Sequence, residues 1–309
     1  ALLALIATIL TSFLPILNKR LLRDARPALV AWSINIASLP ILAVGTGLLT
    51  QCSLTVRQSG DPLSCAVRVP RIDGIFVAAL LASAFLNWAA TLLSTVALEK
   101  AEASLVSPLL TFNPAFTLVV AWFTLGEVPG IHQTIGVIVV LFGSYLLEAE
   151  EARTGLFAPL RALLHRPGAL LAIGASALWG TTTVLEKLAI EHMAPPSGPA
   201  VALLGTFLMV ALLTPGAFRF SSRGGWSAGW KGLAMHPRAL VLAILIAGIA
   251  PLFGFTAIAL GLVGYVTTLF KLSAVLTVLW AWMFLGEGQL RERLLGASVM
   301  VLGGVLVAV

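Results

Sequence analysis

One long apolar stretch occurs twice in this chain. SLVSPLLTFNPAFTLVVAWFTLGE, Ser104–Glu127, returns 160 positions later as GYVTTLFKLSAVLTVLWAWMFLGE, Gly264–Glu287, with no gap and the same Leu-Gly-Glu ending. Each copy is a predominantly apolar run of about 20 residues, long enough to cross a bilayer as a helix. The copies disagree at one telling position: Lys271 stands in the second where the first has Thr111. A doubled membrane helix with a cation in one copy points to a two-fold transporter with one functional asymmetry.

Of the 309 residues, 59% are hydrophobic and 10% charged, against about 25% charged in soluble domains. Mean hydropathy is +1.01. The chain therefore reads as an all-α, multi-pass membrane protein whose main partner is the lipid bilayer. A porin-type barrel would show short alternating segments of about ten residues, and the sequence has none. The net charge of +6 is explained by basic loops facing anionic headgroups rather than by nucleic acid, so no nucleic-acid partner is expected.

Ten spans can be drawn, in two sets of five. The first five-helix repeat covers residues 1–149, a charged connector 150–167, and the second repeat 168–309. The connector's 157–165 portion is basic and amphipathic, suited to lie along the membrane surface. ALLALIATIL at the start aligns with ALLAIGASAL at 169–178, so the first span is read as a membrane span and not a cleaved signal. Residues 50–72 are expected to form a polar loop holding Cys52 and Cys65, which a disulfide can join only in an oxidising compartment. An odd number of spans per half forces the halves into opposite orientations. That is the inverted repeat of many secondary transporters, with the substrate site at the repeat interface. Loops on one side hold 14 of the 19 Lys and Arg and those on the other hold 4. By the positive-inside rule both termini lie outside.

Lys271 is the sharpest candidate residue. A lysine at that depth costs about 2.5–3.5 kcal/mol on insertion scales, so it must face a cavity or a counter-charge. It can bind an anionic substrate group or carry a proton; the alternative is a snorkelling or internally paired lysine. Thr267, Thr268 and Tyr265 precede it in the same span as further substrate contacts. Glu186 occurs in one half only, opposite Asn18 in the other, and is expected to be the counter-charge to Lys271 or a protonation site. Beside it, Lys187 and its repeat partner Lys19 are read as snorkelling to the interface. In the sixth span Trp179 and Thr182 offer a ring and a hydroxyl to a cavity, unless the hydroxyls of that span bond back to their own helix. Asn87 must line a cavity or bond across helices. Asn113-Pro114 and Pro251 are expected to break the fourth and eighth spans where backbone faces a cavity. Gly126-Glu127 and Gly286-Glu287 read as helix ends, the glutamate opening the next helix. Gly136, Gly143, Gly296 and Gly303 let the fifth and tenth spans approach closely, packing on each other or forming a homodimer. No metal spacing, nucleophile elbow or phosphate loop appears, so no catalytic residue, metal or cofactor is expected. Any active transport must draw on an ion gradient or exchange.

With these motifs the sequence resembles the EamA-like family of the drug/metabolite transporter superfamily. The resemblance rests on the two Leu-Gly-Glu endings, each followed by a glycine-bearing span, and on Ala177-Leu178-Trp179-Gly180. It covers essentially the whole chain. It implies ten helices around a central cavity and movement of small metabolites, amino acids or drugs. With the inverted repeat and Lys271, the expectation is a secondary transporter that exports a small metabolite, amino acid or drug-like solute across the cytoplasmic membrane by alternating access. A lipid or lipid-linked sugar flippase is the alternative within transport, and a structural membrane protein the alternative outside it. Two departures stand out: Thr11-Ser12 replaces Trp-Gly in the first span, and Ser273-Ala274 replaces the second Asn-Pro. The family usually has cytoplasmic termini, opposite to the charge count.

Overall fold

A computed structural model describes residues 2–58, 71–113, 115–117, 119–120, 130–147, 163, 165–194, 197–219, 226–260 and 263–308. In chain order its helices are α1 (Leu2–Leu21), α2 (Pro27–Gln58), α3 (Gly74–Lys100), α4 (Ala103–Leu109), α5 (Ile131–Leu146), α6 (Pro167–Glu191), α7 (Gly198–Arg219), α8 (Trp226–Ala234), α9 (Pro237–Leu260), α10 (Val263–Leu285) and α11 (Leu290–Ala308). Two short strands, β1 (Arg71–Ile72) and β2 (Met193–Ala194), pair antiparallel. Among the described residues five helices are long and apolar enough to cross a membrane, and two shorter apolar helices accompany them. The protein is an integral, multi-pass helical membrane protein.

The packing is reciprocal between the halves. Helix α1 lies on α9, as α6 lies on α3; α2 also lies on α9, as α7 lies on α3. The α5–α11, α2–α7 and α4–α10 contacts join corresponding elements of the two repeats. Glycines set the α5–α11 distance. A Cβ on Gly143 would come within 2.6 Å of the Met300 nitrogen, and one on Gly303 within 2.6 Å of the Val140 nitrogen. The small residues of the two spans therefore pack on each other within one chain. Backbone contact of this kind gives membrane helices dispersion energy that lipid cannot match.

Several helix boundaries differ from the sequence expectation. Helix α2 runs on to Gln58, past the expected end near Leu49, because no glycine or proline stands between Leu49 and Gly60. The loop after α7 contains α8, whose Trp230 meets Trp32 edge-on at 6.3 Å and whose Gly232 lies against the backbone of Asp24. The expected break at Pro251 is absent. Helix α9 continues through it, losing only the one hydrogen bond that proline cannot donate. The region of Gly126-Glu127, the amphipathic connector apart from Leu163 and His165, and Cys65 lie outside the described residues, as does the side chain of Cys52.

The other Gly-Glu corner lies among the described residues. Gly286 takes φ +68°, the left-handed conformation that ends α10. Glu287 does not open α11, which begins at Leu290. Instead its two carboxylate oxygens accept from Ala103 N at 2.9 Å and Ser104 N at 2.8 Å, capping α4 of the other half. Nearby, Lys19 Nζ donates to the Leu98 and Ala101 carbonyls at 2.6 Å each, closing the C-terminus of α3. It serves as a helix clamp rather than a snorkelling group. Glu287→Ala leaves two buried N–H groups without an acceptor. It should lower unfolding stability by about 1–3 kcal/mol, read as a fall in melting temperature of the purified protein.

Just outside the membrane, Asp73 caps α3 by accepting from Phe76 N at 2.9 Å and bonds His192 Nδ1 at 2.7 Å. The Phe76 N–H, and then His192, hold its carboxyl below the usual carboxylate range. A carboxyl depressed in the folded state stabilises above its unfolded pKa and loses that effect as pH falls through the folded one. Asp73→Asn should therefore melt below wild type at neutral pH and converge with it in strong acid.

Candidate functional site

The fourth span supplies the first wall of the site. Helix α4 tightens into a 3₁₀ turn at Leu110–Phe112. Pro114 has no N–H, so the Leu110 carbonyl lacks its regular helical donor. Ser176 Oγ of α6 donates to it at 3.0 Å, and the Asn113 N–H also bonds it. Thr117 Oγ1 lies 3.0 Å from both the Asn113 and Gly180 carbonyls. Gly180 permits this close approach, since a Cβ there would sit 2.8 Å from the Asn113 oxygen and 3.0 Å from the Thr117 nitrogen. The Trp-Gly pair thus has a division of labour: glycine seats the broken helix and Trp179 faces the interior.

Between the halves lies a cavity of about 360 Å3. Helices α1, α2, α3, α4, α6, α9 and α10 contribute to its wall. Its polar lining includes hydroxyls of Thr11, Ser94, Thr95, Ser107 and Thr277, and the amides of Asn18 and Asn35. Lys271 and its repeat counterpart Thr111 both line it. Lys271 is the charged side chain of this lining, and no carboxylate is present among the described residues. The lysine stem passes Gly304 of α11, with Cδ 3.9 Å from where a Cβ would sit. Asn18 Oδ1 is buried without a hydrogen-bond partner among the described residues. Thr277 donates to the Ser12 carbonyl at 2.9 Å and Trp280 Nε1 to Ser12 Oγ at 2.9 Å, tying α10 to α1 beside the cavity.

The other predicted residues distribute unevenly. Trp179 lines the cavity. Thr182 is buried and bonds back to the Trp179 carbonyl at 3.0 Å, and Thr181 to Ala177 at 3.2 Å. Asn113 serves the helix break. The side chains of Tyr265, Thr267, Thr268 and Lys187 lie outside the described residues. Glu186 and Asn87 meet each other, Nδ2 to Oε1 at 2.9 Å, in a separate smaller cavity. Glu186 is thus not brought to Lys271, and no described carboxylate pairs with that lysine. Sequence reasoning missed Asn18, Asn35 and the α3 hydroxyls as lining. Their only signal was polarity within apolar helices.

The sequence model of the EamA-like transporter family matches twice, over residues 1–148 and 166–309. The chain belongs to the EamA-like transporter family. It is accordingly a membrane transporter of the drug/metabolite type, a class that carries solutes rather than transforming them. No curated protein matches the chain significantly. Among solved structures, a crystal structure described only as that of a protein is similar over 99% of this chain and 95% of its own. Its identity is 18% and its TM-score 0.60, a likeness of fold alone.

Because Gly180 holds α6 against the turn that lines the cavity, Gly180→Ala should cost about 1–3 kcal/mol by overpacking. The melting temperature of the variant measures it.

Proposed function

We propose that this EamA-like protein is a secondary transporter that exports a small metabolite bearing an anionic group across the cytoplasmic membrane. The observation that carries this reading is the cavity between the halves, in which Lys271 stands among hydroxyls and amides with no described carboxylate. A cation without a counter-charge at membrane depth is costly, and an anionic solute group would offset that cost. Hydroxyls and amides around it give orientation through hydrogen bonds, as in other largely pre-formed sites.

The reciprocal packing supports ten spans arranged as two inverted five-helix repeats. In that arrangement one half rocks against the other around the bound solute. Capping of α4 by Glu287 joins the halves at one end of the cavity, a contact that such rocking remakes or breaks.

A panel of small organic anions should raise the melting temperature of the purified protein, since a ligand bound only by the folded state stabilises it. Lys271→Ala should abolish that shift and weaken binding about ten- to a hundredfold, the loss of a charge-assisted hydrogen bond of about 1.5–3 kcal/mol. Equal stabilisation and equal flux of the same anions by wild type and Lys271→Ala in liposomes would remove the role given to Lys271. Accumulation in right-side-out rather than inside-out vesicles would reverse the direction.

A further inference from the structure

Thr91 of α3 faces two cavities at once. One is the central cavity; the other is a chamber of about 200 Å3 lined by α3, α6, α7 and α9. Ser83, Asn87, Glu186, Thr206 and Pro251 line this chamber. Glu186 Oε1 accepts from Asn87 Nδ2 at 2.9 Å and from Ser83 Oγ at 3.2 Å, and Asn87 also donates to Ser83 Oγ at 3.2 Å. From α3, α7 and α9 only uncharged side chains line the chamber, and no Lys, Arg or His does so among the described residues. Asp73 and His192 bond each other at the ends of α3 and α6, while the side chain of Lys187 lies outside the described residues.

A carboxylate inside a membrane span is retained against its cost when it has a task. Here both neighbours turn hydrogens, not oxygens, toward it. A metal ion needs several oxygen ligands, while the two nearest groups are engaged as donors to Oε1; a proton needs only one lone pair, and Oε2 has no described partner. The chamber also touches the weak point of α9. Pro251 lines it, and Ala247, whose carbonyl has lost its regular donor because Pro251 lacks an N–H, lines the central cavity.

We propose that the Glu186 chamber is a proton-binding site, set one side chain away from the solute cavity. The carboxylate takes one proton from water onto Oε2, becomes a neutral acid, and returns the proton to water on release. Its use to drive solute movement rests on the transporter reading above; the proton site itself does not.

The test is infrared spectroscopy of the protein in liposomes with no solute present, which keeps its failure distinct from that of the Lys271 reading. In neutral buffer wild type should show a protonated-carboxyl stretch that disappears in alkaline buffer. Glu186→Gln should lose that band while melting near wild type, and Glu186→Asp should keep it. The proposal is overturned if neutral wild type has no such band, or if Glu186→Gln retains it. It is equally overturned if sodium chloride abolishes the band at constant pH, which would make the chamber a metal-ion site.

Discussion

Hydrocarbon offers a polar group no water, so each one buried at membrane depth must find its partner within the protein. Much of this architecture follows from that constraint. The proline after Asn113 deprives Leu110 of a helical donor, and Ser176 of the other half meets it. The first N–H groups of α4 are met by Glu287, and the last carbonyls of α3 by Lys19. Each of these bonds crosses between helices, and those of Ser176 and Glu287 cross between repeats. Backbone satisfaction is therefore also what registers the two halves.

The same constraint makes the exceptions informative. Among the described residues Asn18 Oδ1 is buried without a partner, Lys271 has no carboxylate beside it, and Glu186 has hydrogen-bond donors but no cation. The first two groups line the central cavity and the third lines the adjoining chamber. The lysine and the carboxyl group thus occupy neighbouring compartments instead of pairing with each other. A salt bridge between them would remove both from the pool available to a solute or a proton.

The duplicated stretch takes on a sharper meaning in this light. Thr111 and Lys271 occupy matching positions of the repeat and both reach the cavity. The sequence difference is therefore a difference inside the site. In the second copy, Thr277 bonds α1, Ala281 is fully buried, and Gly286-Glu287 ends one helix and caps another.

Hydropathy and repetition, read along the chain, determined the helical membrane class, the two repeats and the family. These are legible because span length and apolar period are local properties. Lys271 was legible for the same reason, since one charge in an apolar run stands out without knowledge of its neighbours. The tertiary structure alone decided which partner each polar group has. It placed Glu186 with Asn87 and Ser83, gave Glu287 to α4, returned Thr182 to its own helix, and carried α9 unbroken through Pro251. Those outcomes depend on helix rotation and on the register of neighbouring helices. A turn of about 100° per residue sends adjacent side chains to different compartments, and nothing in the residue names says which.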